Sequence, residues 1–93
     1  MKTILITGAS RGIGAATALL AAEMGFAVAI NYNKSKETAE SVANKILASG
    51  GQAKTFQADV SNEADIIRLF KEVDAEFGSL TSLVNNAGIL EQQ

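Results

Sequence analysis

The sequence predicts an α/β fold, a doubly wound parallel sheet, incomplete at this length. Two observations carry that expectation. Strand-like and helix-like runs alternate strictly along the 93 residues, and the first pair is joined by a turn containing three glycines, Gly8, Gly12 and Gly14. A β-α-β-α-β-α-β order implies parallel strands, right-handed crossovers and helices on both faces of the sheet.

Lys2 to Thr7 (KTILIT) is apolar and β-branched and reads as the first strand. Ala15 to Met24 is rich in good helix formers and makes the first helix, with Gly25 ending it. Ala27 to Tyr32 (AVAINY) is the second strand. Ser35 caps a second helix that carries Ala39, Val42, Ala43 and Ile46 at helical spacing, and Gly50 and Gly51 stop it. Lys54 to Ala58 is a weaker third strand. Ser61 caps a third helix whose apolar stripe is Ile66, Leu69, Phe70, Val73 and Phe77, closed by Gly78. Leu80 to Asn85 is the fourth strand.

Composition narrows the function. With 47% hydrophobic and 19% charged residues the chain has the makings of one folded unit rather than a disordered one. The net charge is −2 and the basic residues are scattered, so neither nucleic acid nor a membrane surface is the expected partner. The sequence has no cysteine and no histidine. That excludes a disulfide framework, a thiolate nucleophile, a zinc cluster of the usual kind and a His general base. No carboxylate cluster suggests a Mg²⁺ or Ca²⁺ site, so no metal is expected. The first apolar run is broken by Gly8, too early for a signal peptide, and no stretch approaches membrane-spanning length. The expected location is cytoplasmic.

The spacing Gly8-x-x-x-Gly12-x-Gly14 differs from the commoner Gly-x-Gly-x-x-Gly pattern but serves the same architecture. Glycines there permit positive φ and close approach of a ligand to the backbone, while the N–H groups and dipole of the following helix attract phosphate. The junction reads as a pyrophosphate cradle; ordinary turn glycines are the plainer alternative. In a parallel sheet ligands bind at the carboxyl ends of the strands. Those ends are polar here: the glycine turn, Asn31-Tyr32-Asn33-Lys34-Ser35, Asp59-Val60, and Asn85-Asn86-Ala87-Gly88.

Taken together, these segments resemble the N-terminal half of the short-chain dehydrogenase/reductase family of Rossmann-fold oxidoreductases, which implies a Rossmann-type doubly wound parallel sheet with strand order 3-2-1-4. Thr7 to Gly14 is similar to its Thr-Gly-x-x-x-Gly-x-Gly turn, Asp59 to its aspartate after strand three, and Asn85 to Gly88 to its Asn-Asn-Ala-Gly segment. The resemblance implies that Gly8, Ser10, Arg11, Gly12, Ile13 and Gly14 hold the phosphates and ribose of a nicotinamide dinucleotide. It implies that Asp59 and Val60 meet the adenine, and that Asn86, Ala87 and Gly88 line the side nearer the nicotinamide. Single residues keep plainer readings: Asp59 as a lead into the Ser61 cap, Asn85 as a partner for backbone groups.

The family's catalytic Tyr, the Lys four residues after it, the Ser and the later Asn would all lie beyond Gln93. On this resemblance residues 1–93 are a cofactor-binding half-domain with no catalytic residue of its own, inactive alone, from an enzyme that moves a hydride between the cofactor and a C–OH/C=O substrate. A non-catalytic dinucleotide-binding module, or a truncated gene product, is the alternative. Tyr32-x-x-x-Lys36 matches the catalytic spacing by letter, but it stands at the end of strand two, on the adenosine side. The implied partner is a small alcohol or carbonyl compound, and a homo-oligomer is expected of the full-length form.

Cofactor choice is expected to be read at strand two. NAD-binding sites usually place an acid there for the ribose 2′-OH, and that carboxylate repels a 2′-phosphate. No acid occurs between Ala27 and Lys36. Arg11, Tyr32, Lys34 and Ser35 instead offer cations and hydroxyls suited to a phosphate dianion, so NADP is expected over NAD. By the same logic Asn31→Asp or Tyr32→Asp is expected to favour NAD.

Overall fold

The computed structural model describes residues 2–9 and 12–85. Seven elements alternate along them: β1 (Thr3–Thr7), α1 (Gly12–Glu23), β2 (Ala27–Tyr32), α2 (Lys36–Ala48), β3 (Gln52–Gln57), α3 (Glu63–Phe77) and β4 (Ser82–Asn85). Every pairing is parallel and the order is β3-β2-β1-β4. The chain therefore steps outward from β1 to β3 and then returns through α3 to lay β4 on the other side of β1. Strand order reverses between β1 and β4, which makes their carboxyl ends the topological switch point where such folds bind ligands.

The two sheet faces follow from the alternation of side chains along each strand. Ile4, Ile6, Val28 and Ile30 point to one face, where Ala18 and Ala21 of α1 and Ala39, Val42, Ala43 and Ile46 of α2 cover them. Leu5, Ala29 and Phe56 point to the other, under Leu69 and Val73 of α3. With both faces covered, β1 is buried at every residue, as an interior parallel strand should be. The small side chains of Ala18 and Ala21 let α1 lie close on the sheet, where bulkier residues would hold it away. β3, an edge among the described strands, exposes Gln52, Lys54 and Gln57, polar side chains that discourage further strand pairing.

Several boundaries differ from expectation. α1 begins at Gly12, inside the glycine turn, three residues before the first good helix former. β1, β3 and β4 are Thr3–Thr7, Gln52–Gln57 and Ser82–Asn85, so Lys2, Ala58 and Leu80 stand outside them. Asn62, not Ser61, caps α3: its Oδ1 accepts the Asp65 N–H at 3.0 Å, because the Ser61 hydroxyl is already committed to Asp59. Ser35 does occupy the N-cap of α2, but its side chain makes no capping bond; only its carbonyl accepts, from the Ala39 N–H. Phe70 is 40% exposed, because the helix buries the narrower line through Leu69 and Val73. At the end of α3, Phe77 packs edge-on to Phe56 with centroids 6.4 Å apart.

At the amino end of the sheet, Thr3 and Thr81 close β1 against the approach to β4. The Thr81 hydroxyl and N–H donate to the Thr3 carbonyl at 2.8 and 3.0 Å, and the Thr3 N–H donates to the Thr81 hydroxyl at 3.0 Å.

Candidate cofactor site

The turn after β1 is built by glycines with different jobs. Gly8 and Gly12 have φ of +63° and +64°, in the left-handed region where a side chain is strained. Around Gly12 a Cβ would meet nothing within 4 Å among the described residues. Gly14 is the reverse case. A Cβ there would fall on the Gly8 carbonyl oxygen and 2.8 Å from the Ala9 Cα, so glycine is what lets α1 sit on the start of the turn. Beside Gly12, Ile13 is 57% exposed, a large apolar side chain at the mouth of the turn.

Four strand ends are tied together below this turn. At the switch point the Thr7 hydroxyl donates to Asn85 Oδ1 at 2.9 Å, joining the ends of β1 and β4. On the other side of β1, Asn31 is 2% exposed and accepts from the Gly8 N–H through Oδ1 at 3.4 Å. Its Nδ2 donates to the carbonyls of Phe56 and Ala58 at 3.3 and 3.2 Å, at the end of β3. Sequence reasoning missed this residue. The available signal was a lone amide at the end of a strand buried on both faces, where an unpaired polar group is too costly to keep.

This burial also corrects the expectation for Asn31→Asp. The side chain points into the sheet edge against carbonyl oxygens, so a carboxylate there would meet acceptors and no ribose. The half-buried Tyr32 is the strand-two position that borders the edge, beside the exposed Lys34 and half-buried Ser35. Tyr32 and Lys36 both lie on the β2 side of β1, away from the β1–β4 switch point.

Asp59 and Val60, both half-buried, follow β3. The Asp59 carboxylate accepts from the Ser61 hydroxyl at 2.6 Å and the Ser61 N–H at 3.0 Å, an Asx-type turn. The Asp59 N–H donates to Asp65 at 2.9 Å, anchoring the loop to α3. The Ser61 bonds hold the Asp59 carboxyl below the usual carboxylate range, and the charge of Lys34 adds a smaller pull in the same direction. A depressed carboxylate pKa contributes stability above its unfolded value that is lost as pH falls through the lowered folded value. Ser61→Ala is expected to return the Asp59 titration part of the way toward the ordinary range, since the residue 61 N–H remains. Carboxyl NMR titration checks this; an unchanged midpoint would show that the hydroxyl bond does not set it.

A shallow groove between β3 and α3, lined by Lys54, Gln57, Arg68, Glu72 and Glu76 among others, lies apart from this edge. Its charges are matched to each other, Lys54 with Glu76 at 2.9 Å and Arg68 with Glu72 at 3.3 Å. Exposed pairs of this kind contribute little to stability.

Gly8, Gly12, Ile13, Gly14, Tyr32, Lys34, Ser35, Asp59 and Val60 thus stand at or beside the carboxyl edge. Ser10, Arg11, Asn86, Ala87 and Gly88 lie outside the described residues. Among the described residues, no group of three or more acidic side chains could hold a metal ion, and no helix is long and apolar enough to cross a membrane.

A parallel 3-2-1-4 sheet with helices on both faces and a glycine turn at its switch point defines a Rossmann-like α/β unit. The family profile described as short chain dehydrogenase matches residues 2–93, and the chain belongs to that family. The uncharacterized oxidoreductase YgfF of Escherichia coli is 47% identical over 93 residues, 100% of this chain and 38% of that protein. The 3-oxoacyl-[acyl-carrier-protein] reductase FabG of Staphylococcus aureus is 51% identical over 88 residues, 95% of this chain and 36% of that protein. Among solved structures, a dehydrogenase/reductase from Sinorhizobium meliloti superposes with a TM-score of 0.91 at 40% identity, covering 99% of this chain and 38% of that one. A short-chain dehydrogenase/reductase from Serratia marcescens gives 0.91 at 39%, covering 95% and 36%. The chain therefore spans little more than a third of the length of these relatives.

Proposed function

We propose that residues 1–93 are the cofactor-binding part of an NADP(H)-dependent reductase or dehydrogenase acting on a C–OH/C=O pair. The observation that carries the cofactor choice is the end of β2: no acid stands between Ala27 and Lys36, and Tyr32, Lys34 and Ser35 border the edge instead. That chemistry accepts a 2′-phosphate and lacks the carboxylate that would repel it. The turn fits a dinucleotide in its own right, because Gly12 leaves room among the described residues where a side chain would intrude.

When bound, the nicotinamide supplies the hydride chemistry. This chain's residues bind and orient. Backbone N–H groups at the start of α1, with Ser10 and Arg11, hold the phosphates; Asp59 and Val60 bound the adenine; Asn86, Ala87 and Gly88 line the nicotinamide side. The proton-transfer groups of the reaction are assigned to a part of the protein outside this chain. With FabG 51% identical, a 3-oxoacyl thioester is the first substrate to try, and a homo-oligomeric, cytoplasmic enzyme the first form to look for.

The test is fluorescence titration of NADPH and NADH into the protein that carries this chain, with Gly12→Val beside the parent. NADPH is expected to bind at least about tenfold more tightly than NADH, and Gly12→Val to abolish both. Equal affinities overturn the NADP assignment, and a Gly12→Val variant that binds like the parent overturns the cradle. Tight binding with no turnover on ketones, alcohols and acyl thioesters would favour a binding module over an enzyme.

A further inference from the structure

We propose that Asn31 is a positioning residue: its side chain sets the phosphate turn in register with the adenine end of the site, and so governs how tightly an intact dinucleotide is held. The proposal rests on the cofactor reading above but concerns a residue that reading does not use.

Asn31 is the penultimate residue of an apolar strand whose preceding residues, Ala29 and Ile30, are fully buried, and it is itself 2% exposed. An amide in that position is kept only if its groups are paired. Its orientation is set by its surroundings: Oδ1 meets the Gly8 N–H, whereas Nδ2 faces the carbonyls of Phe56 and Ala58 and its neighbour Tyr32. Turned over, the amide would set oxygen against oxygen and nitrogen against an N–H. The main-chain carbonyl of Asn31 also accepts from the Ala9 N–H at 3.2 Å. Two consecutive N–H groups at the start of the phosphate turn thus end on Asn31, as do two carbonyls just before Asp59.

The turn after β1 and the loop after β3 are separated by β2 and do not touch in the sheet. Among the described residues, the Asn31 side chain alone hydrogen-bonds both to Gly8 and to the Phe56–Ala58 segment. A ligand that reaches both regions at once depends on their spacing, while a ligand that fills only one does not. The Ala9 bond to the Asn31 carbonyl does not involve the side chain, so substitution leaves Ala9 attached to β2 and releases only the link from Gly8 to the Phe56–Ala58 segment.

The experiment compares Asn31→Ala and the near-isosteric Asn31→Leu with the parent protein that carries this chain. Dissociation constants are measured for NADPH, which spans both regions, and for adenosine 2′-monophosphate, which lacks the pyrophosphate. Both variants are expected to lose about tenfold or more in NADPH affinity and less than about twofold for the nucleotide. Equal losses for the two ligands, no loss for either, or failure of both variants to fold would overturn the positioning role. A parent that binds neither NADPH nor NADH would overturn the cofactor reading itself, and this proposal with it.

Discussion

Gly14→Val is expected to destabilise the folded protein by about 3 kcal/mol, at the upper end of what overpacking costs, whether or not cofactor is present. The substituted Cβ would lie on the Gly8 carbonyl and 2.8 Å from the Ala9 Cα, and both neighbours are backbone that cannot swing aside. Relief requires α1 to rise from β1, which breaks the seating of Ala18 and Ala21 against the sheet. For a domain of this size that corresponds to a fall in Tm of more than about 10 °C. Gly12→Ala is the control. It meets nothing within 4 Å and bears only the strain of a φ of +64°, about 1–2 kcal/mol. Thermal unfolding of both variants checks the split; a Gly14→Val protein melting with the parent would mean that α1 has room the structure does not show.

Arg11→Ala is expected to weaken NADP binding by about ten to a hundredfold and to leave NAD nearly unchanged. A planar guanidinium holds a phosphate through two parallel bonds, and a partly desolvated contact of that kind is worth about 1.5–3 kcal/mol. Tyr32→Asp is expected to reverse the preference, since a carboxylate at the end of β2 accepts from a ribose 2′-OH and repels a phosphate. Lys34, exposed near Asp59, softens the effect without cancelling it. Dissociation constants for both cofactors in parent, Arg11→Ala and Tyr32→Asp decide the matter. Equal losses for NAD and NADP on removing Arg11 would place it on the shared pyrophosphate, leaving the NADP assignment on the missing acid alone.

Where physical signals were strong, sequence and structure agree closely. β2 runs from Ala27 to Tyr32 as its apolar run indicates, the parallel pairing follows from strict alternation, and the 3-2-1-4 order is the one the family resemblance implies. Ends were harder to place because neighbouring residues compete for the same role. Ser61 and Asn62 are both good caps, and only the bond from Ser61 to Asp59 decides between them. Phe70 fits helical spacing as well as Leu69 does, yet Phe70 is 40% exposed and Leu69 1%. Asn31 was the largest omission: a sequence displays its polarity but not the carbonyls and N–H groups that converge on it. The same burial disqualifies position 31 for reading the ribose, whereas Tyr32, one residue on, borders the edge.

The placement of β4 beside β1 also orders events on the ribosome. Thr3 and Thr81 are 78 residues apart, which translation at about 5–20 residues per second covers in roughly 4 to 16 s. β2 emerges early in that interval and can pair with one side of β1, while the side destined for β4 shows a row of open N–H and C=O groups. Long-range parallel pairing is intrinsically slow, since the intervening chain must be closed into a loop first. The switch point, where Thr7 meets Asn85, is therefore sealed late, after β1 and β2 have had time to pair. The nascent chain spends those seconds with β1 paired on one side only, and that open edge is one to which another strand can add.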